Sequence, residues 1–464
     1  MQMNAADAKY EKMTREPVEK LICRLAVPTI ISMLITSVYN MADTFYVGKI
    51  GTSATGAVGV SFALMAIIQS VGFMLGMGSG NYISRLLGQK NREEAVKVAS
   101  TGFFTAIGFG LAFMVVGLVF IDPLVRLLGA TDTIFPYAKA YVSFILIGAP
   151  YMTASFVLNN LLRFQGSAFY GMIGIGAGAV LNIGLDPVFI FVLQMGTAGA
   201  AFATILSQFV SFCILLFLSG KGGNIQISAR QFTFRWRIYK EIFRGGLPSF
   251  YRQGLSSAST IMLNFSAGPY GDAAIAAMSI VTRVFQFALS ALLGFGQGFQ
   301  PVCGFNYGAK RYGRVLKGFW FCVKIAVAAL VLLAAVGFIF AGQIIAVFRK
   351  DDLEVIEIGT LALRLQCITF PFSSWIVVSN MLLQTIGKGT RASVLSLARQ
   401  GLFFLPAILA LPRIWGLLGI QLSQPAADIA TFILAIPMGV SIIRELKGLQ
   451  KEQEMQAEGE EQDG

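Results

Sequence analysis

Sliding this 464-residue chain against itself by about 220 positions lays the second half over the first, and both halves are strings of long apolar segments. Gly76-Met-Gly78-Ser-Gly80 leads to Leu87-Gly88-Gln89-Lys90, and Gly296-Gln-Gly298-Phe-Gln300 leads to Tyr307-Gly308-Ala309-Lys310. Gly51 falls on Gly271 and Gly196 on Gly416; with one added residue, Pro150, Asn159 and Gly166 fall on Pro371, Asn380 and Gly387. Each copy opens with a basic segment, an apolar run and a proline, Pro28 in one and Pro248 in the other. Such a duplication, with both copies in one orientation, describes a membrane protein built from parallel repeats.

Only 13% of the residues are charged and the mean hydropathy is +0.69, which leaves too little polar surface to keep so long a chain in water. Twelve apolar stretches of roughly 20 residues can cross a ~30 Å hydrocarbon layer. They begin near Leu21, Ala57, Val98, Ala138, Tyr170, Gly199, Glu241, Ala274, Gly318, Glu357, Ala392 and Leu417. The expected fold is an all-α integral membrane protein of twelve transmembrane helices in two six-helix repeats. Residues 1–20 form an amino-terminal segment, 21–220 a first lobe, 221–240 a basic linker and 241–446 a second lobe. Residues 447–464, running through Glu460 and Glu461 to Asp463, read as a charged, solvated and partly disordered tail.

The basic residues set the orientation. Lys9, Lys12, Arg15 and Lys20 precede the first span, Arg85, Lys90, Arg92 and Lys97 follow the second, and Lys310, Arg311, Arg314 and Lys317 follow the eighth. The linker adds Lys221, Arg230, Arg235, Arg237, Lys240 and Arg244. Loops rich in Lys and Arg stay inside, so both termini are expected in the cytoplasm of a bacterial cell, with the chain in its plasma (inner) membrane. The +12 net charge is explained by topology and does not call for nucleic acid as a partner.

The chain has no histidine, which removes His-based catalysis, His metal ligands and His proton relays. It lacks the Walker, HExxH and GxSxG motifs, and its five cysteines are scattered without paired spacing. An enzyme is not expected, nor a cofactor.

Ionised side chains at membrane depth cost roughly 2.5 to 3.5 kcal/mol on insertion scales, so the few present are candidates for function. In the first copy they are Asp43 and Asp186, both at a depth beyond the bilayer centre. Asn182 stands four residues before Asp186, and Tyr39 and Asn40 stand four and three before Asp43, on shared helix faces. The next span brings Thr204 to a similar level from the other side. Two carboxylates, an amide and a hydroxyl at one level make either a hard oxygen site for Na⁺ or a coupled pair that carries a proton. The competing reading of Asp186, followed by Pro187, is a helix-ending residue near the outer interface.

The run Tyr39-Asn-Met-Ala-Asp43-Thr-Phe-Tyr-Val-Gly48, the glycine-rich Gly76 to Lys90 segment, and Leu181-Asn182-Ile-Gly-Leu-Asp186-Pro187 with Gly199-Ala-Ala-Phe-Ala-Thr204 resemble the multidrug and toxic compound extrusion (MATE) family, most of all its bacterial MepA-like branch. The resemblance covers Lys20 to Leu446. It implies two six-helix lobes around a cleft, secondary active export of amphipathic or cationic compounds in exchange for H⁺ or Na⁺ by alternating access, and a monomer in the lipid bilayer. It also implies a coupling-ion site at Asp43, Asn182, Asp186 and Thr204, with Tyr39, Tyr141 and Asn159 nearby.

The second copy departs from the first. Leu263 stands where Asp43 would repeat, and Gln424 where Thr204 would. A second cation site is not expected there. Arg252, Gln253 and Arg283 lie in or near its spans, and Asp428 in the last span is expected to neutralise Arg252 or Arg283. These arginines, with Arg364, keep open a rival reading as a flippase for a lipid-linked anionic saccharide.

Overall fold

Apolar residues without internal breaks become helices in a bilayer, because a helix satisfies its own backbone where no water can. The computed structural model describes residues 5–350 and 352–462, and it is helical almost throughout; Asp463 of the tail lies outside the described residues. The first half holds α1 (Ala5–Arg15), α2 (Val18–Gly48), α3 (Thr52–Gly88), α4 (Arg92–Val119), α5 (Ile121–Leu127), α6 (Phe135–Phe164), α7 (Ala168–Pro187) and α8 (Gly196–Ser219). The second holds α9 (Trp236–Ala267), α10 (Asp272–Gly308), α11 (Tyr312–Ile339), α12 (Ala341–Phe348), α13 (Leu353–Thr369), α14 (Phe372–Thr385), α15 (Gly389–Leu397), α16 (Leu405–Trp415) and α17 (Leu417–Gln462).

Among the described residues ten helices are long and apolar enough to cross a membrane, and α13 with α14, bent by 53°, makes an eleventh. The remaining expected span, α9, is not among them; its central stretch carries Ser249, Arg252, Gln253, Ser256 and Ser257. Helices also outrun the apolar stretches that announced them. α4 begins at Arg92, six residues before Val98, because the Asn91 side chain caps the Glu94 N–H at 3.1 Å and makes a polar first turn helical. At the other extreme α17 continues to Gln462, so the described part of the tail is helix and not disordered; its Gln, Glu, Lys and Met residues are good helix formers.

The duplication is visible in the backbone. α3 and α10 are each 37 residues long and each follow a glycine in the left-handed region, Gly51 and Gly271. α4 and α11 are each 28 residues long and each follow a lysine at φ 59, Lys90 and Lys310. The residue after each lysine donates its N–H back into the preceding helix, Asn91 to Leu86 at 2.9 Å and Arg311 to Asn306 at 2.8 Å. That closing bond offsets the strain of a left-handed non-glycine residue.

The halves meet at the end of the bundle that carries these lysine turns. α3 packs against α9 and α10 against α2, with the backbones so close that a Cβ on Gly78 would lie 1.9 Å from the Ile242 carbonyl oxygen and one on Gly298 would lie 2.5 Å from Ala26 Cα. α3 and α10 also cross directly, Gly88 against the Phe305 carbonyl and Gly308 against that of Arg85. Small residues let membrane helices approach in this way, which is the use of the glycine-rich motifs. Behind the crossing, Leu21, Ile22 and Leu25 of α2 share one apolar core with Phe299 and Phe319 of the second half.

Across this seam lies α1. Asn306, Arg311 and Arg314 donate to the carbonyls of Met13, Thr14 and Glu16, at 3.1, 2.8 and 2.5 Å. On the other side Lys9 donates to Ser167 Oγ at 2.9 Å and to Asn224 Oδ1. One short helix thereby ties the two halves together.

Gly78→Leu is expected to force α3 away from α9, so that a cysteine placed beside the seam reacts at least tenfold faster with a water-soluble maleimide than in the parent. Lys9, pushed down from its ordinary 10.5 to about 7 first by burial and then by Arg92 and Lys12, makes the docking of α1 depend on pH. The detached lysine binds the proton that the docked one releases, so docking strengthens as pH rises from about 7 towards 10 and stays at its weakest below 7. A spin label at Ala8 should lose mobility over that range, and Lys9→Met should abolish the trend.

Candidate functional site

Four helices of the first half bring the polar residues of the candidate site together. α2 presents Tyr39 and Asp43 one turn apart, α7 presents Asn182 and Asp186 one turn apart, α8 adds Thr204 and α6 adds Tyr141. All six are buried, Asp186 completely and Asp43 to 5% exposure. Asn182 Nδ2 donates to Asp186 Oδ1 at 3.3 Å and lies 3.4 Å from Thr204 Oγ1. α2 packs along α7, which sets Asp43 and Asp186 on neighbouring helices.

The hydrogen bonds leave a deficit. Asp43 Oδ1, Asp186 Oδ2 and Asn182 Oδ1 are buried without any partner. A buried unsatisfied acceptor costs about 1–3 kcal/mol, and more if charged. Three acceptors in one cluster therefore demand positive charge, supplied by protons on the carboxyls or by a hard cation such as Na⁺. Asp186, one residue before the end of α7, is completely buried. Beyond Pro187 the chain continues as a π-helical turn, Val188–Val192, whose wider winding accommodates the N–H that proline lacks. Among the described residues no group of three or more His, Cys, Asp or Glu side chains is arranged for a metal ion.

A cavity lies between the halves, and Tyr39, Asn182 and Thr204 form part of its wall. Asn40 and Asn159 line it, while Asp43 and Asp186 do not. From the second half Gln253, Gln286, Gln297 and Arg252 face the same space.

In the second half, Asp428 is completely buried, but its partner is Arg399, at 2.8 Å, and not Arg252 or Arg283. Gln366 and Gln424 also donate to it, at 2.9 and 3.0 Å. Arg283 is exposed. Arg399 sits in a π-helical stretch, Ala398–Phe404, about ten residues earlier in the repeat register than the turn after Pro187. Its signal in the sequence was a lone charge inside the eleventh apolar run, masked by Gly and Pro interruptions. Arg163 is a second buried cation whose place at the end of α6 reads as an interface; it is held by Asn160 at 2.5 Å and by Gln297 across the halves.

The family described as MatE matches residues 28–188 and 248–409, one block in each half. The multidrug export protein MepA of Staphylococcus aureus (strain MSSA476) is 27% identical over 434 residues, covering 91% of this chain and 93% of that protein. A crystal structure of MATE in complex with MaL6 superposes with a TM-score of 0.89 at 26% identity, covering 94% of this chain and 99% of that one. An outward-facing multidrug resistance MATE family transporter of the MOP superfamily does so with 0.88 at 27% identity, covering 94% and 98%.

Removing one partner of a buried ion pair strands the other, at about 3–5 kcal/mol. Arg399→Leu or Asp428→Leu alone should lower the thermal unfolding midpoint of the purified protein by several degrees, and the double substitution should recover most of the loss.

Proposed function

This chain belongs to the MatE family of multi-span membrane transporters, which are not enzymes, and from that premise we propose that it exports amphipathic compounds, cationic ones included, in exchange for H⁺ or Na⁺. The observation that carries the coupling is the trio of buried, unpartnered oxygens on Asp43, Asp186 and Asn182. They bind a cation in one half of the cycle and lose it in the other. Tyr39, Asn182 and Thr204 belong both to this cluster and to the cavity wall, so cation arrival alters the surface that a cargo molecule meets.

Twelve spans in two six-helix repeats complete this reading, with α9 as the seventh, since it is the repeat partner of α2 and similar in length. The basic residues then put the seam and both termini in the cytoplasm. The closed glycine contacts at the seam support reading this arrangement as the outward-facing member of an alternating-access cycle. Export of varied drug-like compounds follows from the likeness to MepA and from a cavity that mixes amides with Phe73 and Phe156. The protein acts as a monomer.

Proteoliposomes loaded with a cationic dye and given a Na⁺ gradient or a pH gradient test the reading. One gradient should drive flux, and Asp186→Asn should reduce it at least tenfold while leaving the unfolding midpoint within a few degrees. Absence of flux under both gradients would overturn it in favour of the flippase.

A further inference from the structure

Of all the side chains lining the cavity, one carries a formal charge, and it is Arg252. Much of the remaining polar wall is amide, from Gln69, Gln208, Gln253, Gln286 and Gln297. Among the described residues the ion pairs with limited exposure are Arg85 with Glu241, Lys97 with Glu94 and Arg399 with Asp428, and Arg252 joins none of them. No hydrogen bond engages its guanidinium either. Gln297, which lines the same cavity, accepts a hydrogen bond from another cation, Arg163. The carboxylates Asp43 and Asp186 lie behind the Tyr39, Asn182 and Thr204 wall, outside the lining.

A half-buried guanidinium that faces a cavity without a counter-charge offers five donors in a fork that matches a carboxylate. The geometry points to an anion subsite at Arg252 that receives the acidic group of a zwitterionic or acidic amphiphile, whose apolar body lies against Phe73, Phe156 and Leu293. This deepens, and rests on, the transport reading above. Cargo that carries a carboxylate or sulfonate then meets complementary charge in the cavity, whereas a pure cation meets neutral amides, hydroxyls and aromatic faces. The carboxylate pair remains free for the coupling ion.

A matched pair of dyes tests it: a rhodamine ethyl ester, which is a permanent cation, and its free acid, a zwitterion on the same ring system. Fluorescence anisotropy with the purified full-length protein should give at least fivefold tighter binding of the acid. Arg252→Gln should weaken the acid at least tenfold and the ester twofold or less, and Arg252→Lys should restore part of the loss. Equal affinities for the two dyes, or equal losses in Arg252→Gln, would overturn the subsite. If Arg252→Gln is not monodisperse, competition against the acid on the parent protein decides: displacement by an alkyl sulfonate in preference to an alkyl trimethylammonium of equal chain length supports the subsite, and the reverse order sinks it. A lipid phosphate presents the same charge, so a short-chain phosphatidate is added as a further competitor; displacement assigns the subsite to phosphate-bearing lipid, and its failure assigns it to soluble acids. Flux is read separately in vesicles. Charge-selective binding with no ion-driven flux of either dye would defeat the exporter and leave the subsite standing, and flux with charge-blind binding would do the reverse.

Discussion

Hydrocarbon offers a polar atom no partner, so each one in this bundle must be satisfied by the protein or else mark a place where something else arrives. Most are satisfied locally. Thr29, Ser32, Ser61 and Thr431 each turn a hydroxyl back to the carbonyl four residues earlier, at 2.7 to 2.9 Å. Among the exceptions are the unpaired buried oxygens of Asp43, Asn182 and Asp186, and beside them stands the guanidinium of Arg252, which faces the cavity without a counter-charge. The first is a demand for positive charge and the second for negative, on two sides of one wall.

α2 links that wall to the seam. Near one end it carries Asp43, and near the other its Ala26 and Ile30 backbone touches Gly298 and Gly294 of α10. Between Ile30 and Asp43 lie about 20 Å of helix at 1.5 Å per residue. A helix of that length transmits tilt as a rod, so a shift of the Asp43 end and separation at the seam are geometrically joined, with Pro28 in the rod removing one backbone N–H donor.

Much of this was legible because the relevant residues are forced by backbone or by charge. Gly51 and Gly271, like Gly166 and Gly387 or Gly196 and Gly416, fall in register in the sequence, and all six are left-handed in the fold. Asp43, Asn182, Asp186 and Thr204 were legible as a group because depth and helix face are simple functions of position. Partner choice was not. Asp428 pairs with Arg399 and not with Arg252 or Arg283, and nothing in linear spacing reveals which arginine a neighbouring helix will rotate towards it. Nor did composition foresee that the polar ends of α4 and α17 would be helix, since capping and helix propensity act where hydropathy is silent.

The Arg399–Asp428 pair has one more meaning in the light of the duplication. By the repeat register, Asp428 occupies the position of Gln208 and Arg399 that of Gly178 or Ala179, all of which line the cavity in the first half. Where one copy keeps a wall of uncharged residues, the other carries a permanent internal ion pair. The two copies are therefore no longer interchangeable parts. A symmetric assembly of two first halves would hold twice the carboxylates and no Arg252, and one of two second halves would have neither aspartate of the cluster. Divergence after duplication has fixed the stoichiometry of the machine at one carboxylate cluster per pair of lobes.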